Sequence, residues 1–189
     1  MENLNFKKYF LRTLVIALSV SALIGIFIFL IGDFGETEFR LLLTTLTIGG
    51  YSLTGLCSAT NQKKPDLKSF SLVGMLISII GFVITLGAIW EIIDFNDIWK
   101  TMVVFIILSV AIAHISLLLL ISPKTESVRY SLIATVVFVS IVALMLIKST
   151  MTEFEESEFY FRLLGVFSIL DVLGTITTPI LNKITVKKE

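Results

Sequence analysis

Two side chains in this sequence could hold or pass a proton within an otherwise apolar run. Asp171 is the single formal charge in the stretch Leu163–Asn182, and His114, the chain's one histidine, lies in Thr101–Pro123. A carboxylate near the middle of a bilayer costs at least about 2.5–3.5 kcal/mol, so such an acid faces other protein groups and marks a pathway or site. Asp171 follows Arg162 by nine residues, which is about 13 Å along a helix rising about 1.5 Å per residue. The same count from Arg40 and Lys100 reaches Gly49 and Ser109, small residues that would leave room for water or an ion beside the acid. The competing reading is an acid kept neutral by its surroundings and hydrogen-bonded to a Ser or Thr of a neighbouring helix. His114 follows Lys100 by fourteen residues, or about 21 Å. Imidazole gains and loses a proton near neutrality, so an Asp171–His114 relay is conceivable. Its axial gap of about 7–8 Å requires a bridging water or a helix tilt. A lone membrane histidine otherwise serves as a hydrogen-bonded packing residue.

The dipeptide Gly49-Gly50 could loosen its helix near the midplane, as broken helices do at transporter sites. The second run is rich in hydroxyls, with Thr44, Thr45, Thr47, Tyr51, Ser52, Thr54 and Ser58, and the sixth adds Thr175, Thr177 and Thr178 before Pro179. The even-numbered runs are therefore expected to line an interior and the odd ones to face lipid more often. Small residues recur at helical spacing elsewhere: Ala17, Ser21 and Gly25 in the first run, and Ser71, Gly74, Ser78 and Gly81 in the third. Such stripes let helix backbones approach in lipid, where no hydrophobic effect drives association. Bundle packing is the first use expected of them; a homodimer face is the second.

No metal, cofactor or catalytic residue is expected. Paired-histidine spacing, phosphate-binding and dinucleotide fingerprints, and a Gly-x-Ser-x-Gly elbow are all missing. One cysteine, Cys57, excludes an internal disulfide and a multi-cysteine metal site. Intramembrane hydrolysis would need a second aspartate or a nucleophile–base pair.

The elements that would position these residues follow from composition. Of 189 residues, 56% are apolar and 16% charged, against about 25% charged in a soluble domain. Six runs, Thr13–Gly32, Leu41–Gln62, Ser69–Trp90, Thr101–Pro123, Tyr130–Ile147 and Leu163–Asn182, each hold 18 to 23 residues. About 20 apolar residues cross the hydrocarbon core as a helix. The first run is longer than the 7–15 residues usual in a signal peptide and lacks a clear cleavage site, so it reads as a retained anchor.

Lysine and arginine stay on the cytoplasmic side. The N-terminal segment, the 2–3 and 4–5 loops and the C-terminal tail hold 11 of the 15 basic residues. The resulting faces carry +7 inside and −6 outside, with Asp171 between them. Both termini are thus placed in the cytoplasm.

The outer segments also repeat. Glu38-Phe39-Arg40, Asp97-Ile98-Trp99-Lys100 and Glu158-Phe159-Tyr160-Phe161-Arg162 each run from acid through aromatic to base, with the basic residues 60 and 62 positions apart. Ser71-Leu72 and Ser131-Leu132 are again 60 apart. The fold expected is an all-α membrane protein, a single six-transmembrane-helix bundle built from three parallel two-helix hairpin repeats near 9–68, 69–128 and 129–189. In architecture the chain resembles the small six-span acid-resistance membrane proteins of bacteria, whose glycine-rich spans are partly echoed by Gly74, Gly81 and Gly87.

The function expected first is a non-enzymatic bacterial inner-membrane protein, an accessory, stress- or defence-related component that works through a protein partner or as a homo-oligomer. The second is a small transporter or channel for a proton, ion or solute centred on Asp171. The third is a substrate-binding membrane subunit of an uptake complex. The lipid bilayer is a partner in each case, the basic face attracts anionic lipid, and no nucleic-acid-binding feature is evident.

Overall fold

The computed structural model describes residues 6–31, 35–62, 64–93 and 96–186. Six α-helices account for most of them: α1 Phe6–Ile31, α2 Glu36–Ala59, α3 Lys68–Ile89, α4 Ile98–Leu118, α5 Glu126–Met151 and α6 Glu158–Val186. Among the described residues, five helices, α2 to α6, are long and apolar enough to cross a membrane. Several have ends suited to the helix dipole, which favours acids in the first turn and bases in the last. Glu36 and Glu38 open α2; Glu126 opens α5 and Lys148 closes it; Glu158 opens α6 and Lys183 closes it.

The chain divides into two compact units, Met1–Ser109 and Val110–Glu189, with the boundary inside α4. In the first unit α2 packs along both α1 and α3. In the second, α5 packs along α6. The expected middle hairpin, α3 with α4, is not among these extended pairs. The small-residue face of α3 is used against α2 instead.

That α2–α3 contact is an antiparallel ladder of hydroxyl bonds. Trp90 Nε1 donates to Thr44 Oγ1 at 3.0 Å, Tyr51 pairs with Thr85 at 2.9 Å, Thr54 with Ser78 at 3.1 Å, and Ser71 Oγ donates to the Ser58 carbonyl at 2.7 Å. Where α2 begins and α3 ends, Arg40 Nη2 reaches Glu36 at 2.6 Å and Glu91 at 2.7 Å. Buried polar groups in apolar surroundings require such partners, and a hydroxyl on one helix finds one only at the right register on the next.

Helix α3 buries the small-residue stripe expected to face inward, and is more buried than the expectation that odd helices more often face lipid would have it. Ser71, Gly74, Met75, Ser78, Gly81, Thr85, Gly87, Ala88 and Ile89 are buried on it, whereas Thr178 is the single fully buried side chain described on α6. Small side chains on α3 allow α2 to approach, and closeness rather than polarity decides burial. The opposite face of α3 exposes Leu72, Leu76, Ile79 and Val83, and α6 exposes Ile169, Val172, Leu173 and Ile176.

Helices α3 and α5 end alike. In α3, Glu91 takes φ 52°, its N–H meets the Ala88 carbonyl at 3.3 Å, and the Ile92 N–H meets that of Gly87 at 3.0 Å. In α5, Glu153 takes φ 55°, its N–H meets the Thr150 carbonyl at 3.4 Å, and the Phe154 N–H meets that of Ser149 at 2.8 Å. Both are Schellman endings with a glutamate where glycine is usual. The two glutamates are 62 positions apart, each nine residues before a basic residue, Lys100 or Arg162.

Candidate functional site

The polar site is built within the second unit. Asp171 and Thr175 stand four residues apart on α6, so they share a face. Thr175 lies thirteen residues beyond Arg162, about 20 Å along the helix, and this matches the axial depth of His114. The three side chains form a chain of hydrogen bonds. His114 Nε2 is 2.9 Å from Thr175 Oγ1, and Thr175 Oγ1 donates to Asp171 Oδ1 at 3.4 Å. The second bond is longer than the usual 2.5–3.0 Å of an O–H···O contact. With its own hydrogen directed at the carboxylate, the Thr175 oxygen can accept from His114 Nε2–H; the opposite direction goes with the other tautomer of His114. All three residues are partly buried.

Helix α5 holds α6 in this position. Gly174 packs on the Thr135 side chain, where a Cβ at position 174 would lie 3.0 Å from Thr135 Cβ. One turn further on, Thr178 Oγ1 is 2.8 Å from Ser131 Oγ and 3.4 Å from Thr135 Oγ1. The apolar support is Leu118, Leu132 and Val139, flanked by Ala111, Ile115 and Val136. Towards the start of α6, Phe138 and Phe167 meet at 6.1 Å, and the Tyr160 hydroxyl donates to the Met145 carbonyl at 2.7 Å. Lys148 sits 4.9 Å above the Tyr160 ring and pairs with Glu156 at 3.1 Å.

Pro179 adds a backbone feature. It lies inside α6 and has no N–H to give the carbonyl four residues earlier, which belongs to Thr175. Thr175 therefore brings both its hydroxyl and a carbonyl lacking its helical partner to the same level.

The other sequence candidates belong to the first unit. Helix α2 continues as α-helix through Gly49-Gly50, with Gly49 buried and Gly50 exposed. Ser109 is 1% exposed, and its Oγ has no hydrogen-bond partner among the described residues. Gly74, Ser78 and Gly81 are buried on the α2-facing side of α3. At Gly25 an added Cβ would meet nothing within 4 Å; the side chains of Ala17 and Ser21 lie outside the described residues.

Sequence reasoning placed Asp171 and His114 but supposed a water or a tilt between them. It missed Thr175 as the link, although i to i+4 spacing from Asp171 was the signal that could have found it. Ser131 and Thr135 were missed because nothing in their spacing names Thr178 as a partner. Among the described residues no group of three or more His, Cys, Asp or Glu is placed to hold a metal ion. No protein-family model, curated protein or solved structure matches this chain.

Proposed function

We propose that this chain is a six-span bacterial inner-membrane protein, with both termini cytoplasmic and no active site, that works as a small transporter or channel through the Asp171–Thr175–His114 group. The observation that carries this reading is the bonded chain itself. Two titratable side chains on different helices, within apolar spans, are joined by one hydroxyl. Ionisable groups at that depth are costly and mark ion or proton paths more often than packing.

The +7 and −6 faces support the orientation. The matched endings of α3 and α5, 62 residues apart, support repetition of the second and third hairpins. Single cysteines placed at Lys124 and Glu155 in a Cys57→Ser background test the topology: the first should react with an impermeant thiol reagent only after the membrane is opened, the second in intact cells.

Flux through reconstituted vesicles tests the function. Asp171→Asn should abolish a proton, ion or solute flux that the native chain supports. No flux, or one insensitive to Asp171, removes the transport reading. It would leave the accessory component acting through partners, or the uptake-complex subunit. The uncovered apolar faces of α6 favour those alternatives, and an ATPase co-purifying with the chain would single out the last.

A further inference from the structure

We infer that the species passed at this site is the proton itself, relayed between His114 and Asp171 by the Thr175 hydroxyl; this rests on the transport reading above and names its substrate. A threonine hydroxyl accepts and donates at once, so one that touches an imidazole nitrogen at 2.9 Å and a carboxylate oxygen at 3.4 Å can be used in two polarities. In the first, His114 is an imidazolium whose Nε2–H points to Thr175 Oγ1, while the Thr175 hydrogen points to the ionised Asp171.

The transfer then balances. The Nε2–H bond breaks as that proton joins Thr175 Oγ1, and the hydrogen formerly on Oγ1 forms an O–H bond with Asp171 Oδ1. Thr175 ends as it began, a neutral hydroxyl. His114 becomes a neutral imidazole protonated on Nδ1, and Asp171 becomes a carboxylic acid. In the second polarity the acid donates to Thr175, whose hydrogen now points at bare Nε2. The transfer from His114 to Asp171 leaves the pair at zero net charge within the spans, where charge is expensive; only uptake at His114 and release from Asp171 change it. The Thr175–Asp171 separation must shorten by about 0.5 Å to reach an ordinary O–H···O distance, and rotation of two adjacent side chains on one helix face is enough for that.

A hard cation fits the same residues poorly. Calcium takes about 6–8 oxygen ligands, and here one carboxylate, one hydroxyl and an imidazole nitrogen come together. Among the described residues of the second unit, no other charged group lies at this depth. Within Val110–Leu118, α4 offers His114 alone, and α5 carries no charge between Tyr130 and Ile147. The carbonyl of Thr175, deprived of a partner by Pro179, supplies an acceptor for water at the His114 level. Backbone groups freed by proline in a membrane are re-satisfied by side chains or ordered water, so this is where a proton can reach the imidazole from the cytoplasmic side.

The test uses the full chain in vesicles containing a pH-sensitive dye, driven by a potassium diffusion potential. Thr175→Val keeps the shape and removes the relay, and should lower proton uptake about a hundredfold, the modest end for a positioned proton carrier. Thr175→Ser should restore it. If Thr175→Val is not recovered as monodisperse protein, His114→Gln examines the chain from its other end with the same loss expected.

Native proton flux in Thr175→Val or His114→Gln, with Asp171→Asn still inactive, overturns the relay while leaving the transport reading intact. An Asp171-dependent potassium or sodium flux without proton movement overturns the proton as substrate. A flux indifferent to Asp171 sinks both.

Discussion

The Tyr51 ring fills the space that a side chain at position 81 would need. A Cβ on Gly81 would come within 2.7 Å of Tyr51 Cε1 and 2.9 Å of its hydroxyl oxygen, and that hydroxyl is itself 2.9 Å from Thr85 Oγ1. Ring and glycine therefore depend on each other: the close approach places the hydroxyl, and the hydroxyl bond fixes the ring.

Gly81→Ala should accordingly force the ring aside and cost about 1–3 kcal/mol, the usual penalty for overpacking. Unfolding of the purified protein in mixed detergent micelles measures this. In a Tyr51→Leu background the same substitution should cost clearly less, because the atoms it strikes are gone. Equal losses in the two backgrounds would contradict the packing described.

Gly174 and Gly50 should behave in opposite ways. Position 174 packs on Thr135, whereas Gly50 and Gly165 have nothing within 4 Å of an added Cβ. Gly50→Ala and Gly165→Ala should be neutral or stabilising by up to about 1 kcal/mol, since glycine is a poor helix former in the interior of a helix. Gly174→Ala should destabilise α6 against α5 and also lower any flux that depends on Asp171, since that contact sets where α6 sits.

These contrasts mark what the sequence could convey. The stripe Ser71, Gly74, Ser78 and Gly81 was legible because helical periodicity puts such positions on one face. Its partners Tyr51, Thr54 and Ser58 were not, because pairing across helices depends on axial register, which no local spacing encodes. For the same reason Asp171 and His114 could be placed by depth alone, while the Thr175 bridge needed the α4 and α6 faces to be known. Hydroxyl content alone does not give burial, as α3 shows. Backbone proximity decides it, and small residues permit that proximity.

Removing one rung of the α2–α3 ladder should have a modest, measurable effect. Thr85→Val leaves the Tyr51 hydroxyl without its 2.9 Å partner, at an expected cost of about 0.6–1.7 kcal/mol for an interhelical hydrogen bond in a membrane protein. Tyr51→Phe should cost a similar amount. The double variant should be hardly worse than either single one, as both changes delete the same bond. Additive losses in that cycle would show that the two hydroxyls act independently.

The ending of α3 sets a backbone cost against an ion pair, since Glu91 takes the left-handed φ of 52°. A non-glycine residue there costs about 1–2 kcal/mol that glycine does not. Glu91→Gly should recover only part of this, because Glu91 also receives Arg40 Nη2 at 2.7 Å and so ties the end of α3 to the start of α2. That tie is exposed on the glutamate side and hence weakened by salt. Unfolding at low and high ionic strength separates the two effects: the benefit of Glu91→Gly should grow with salt. A salt-independent gain would mean that Arg40 contributes nothing to the α2–α3 clamp.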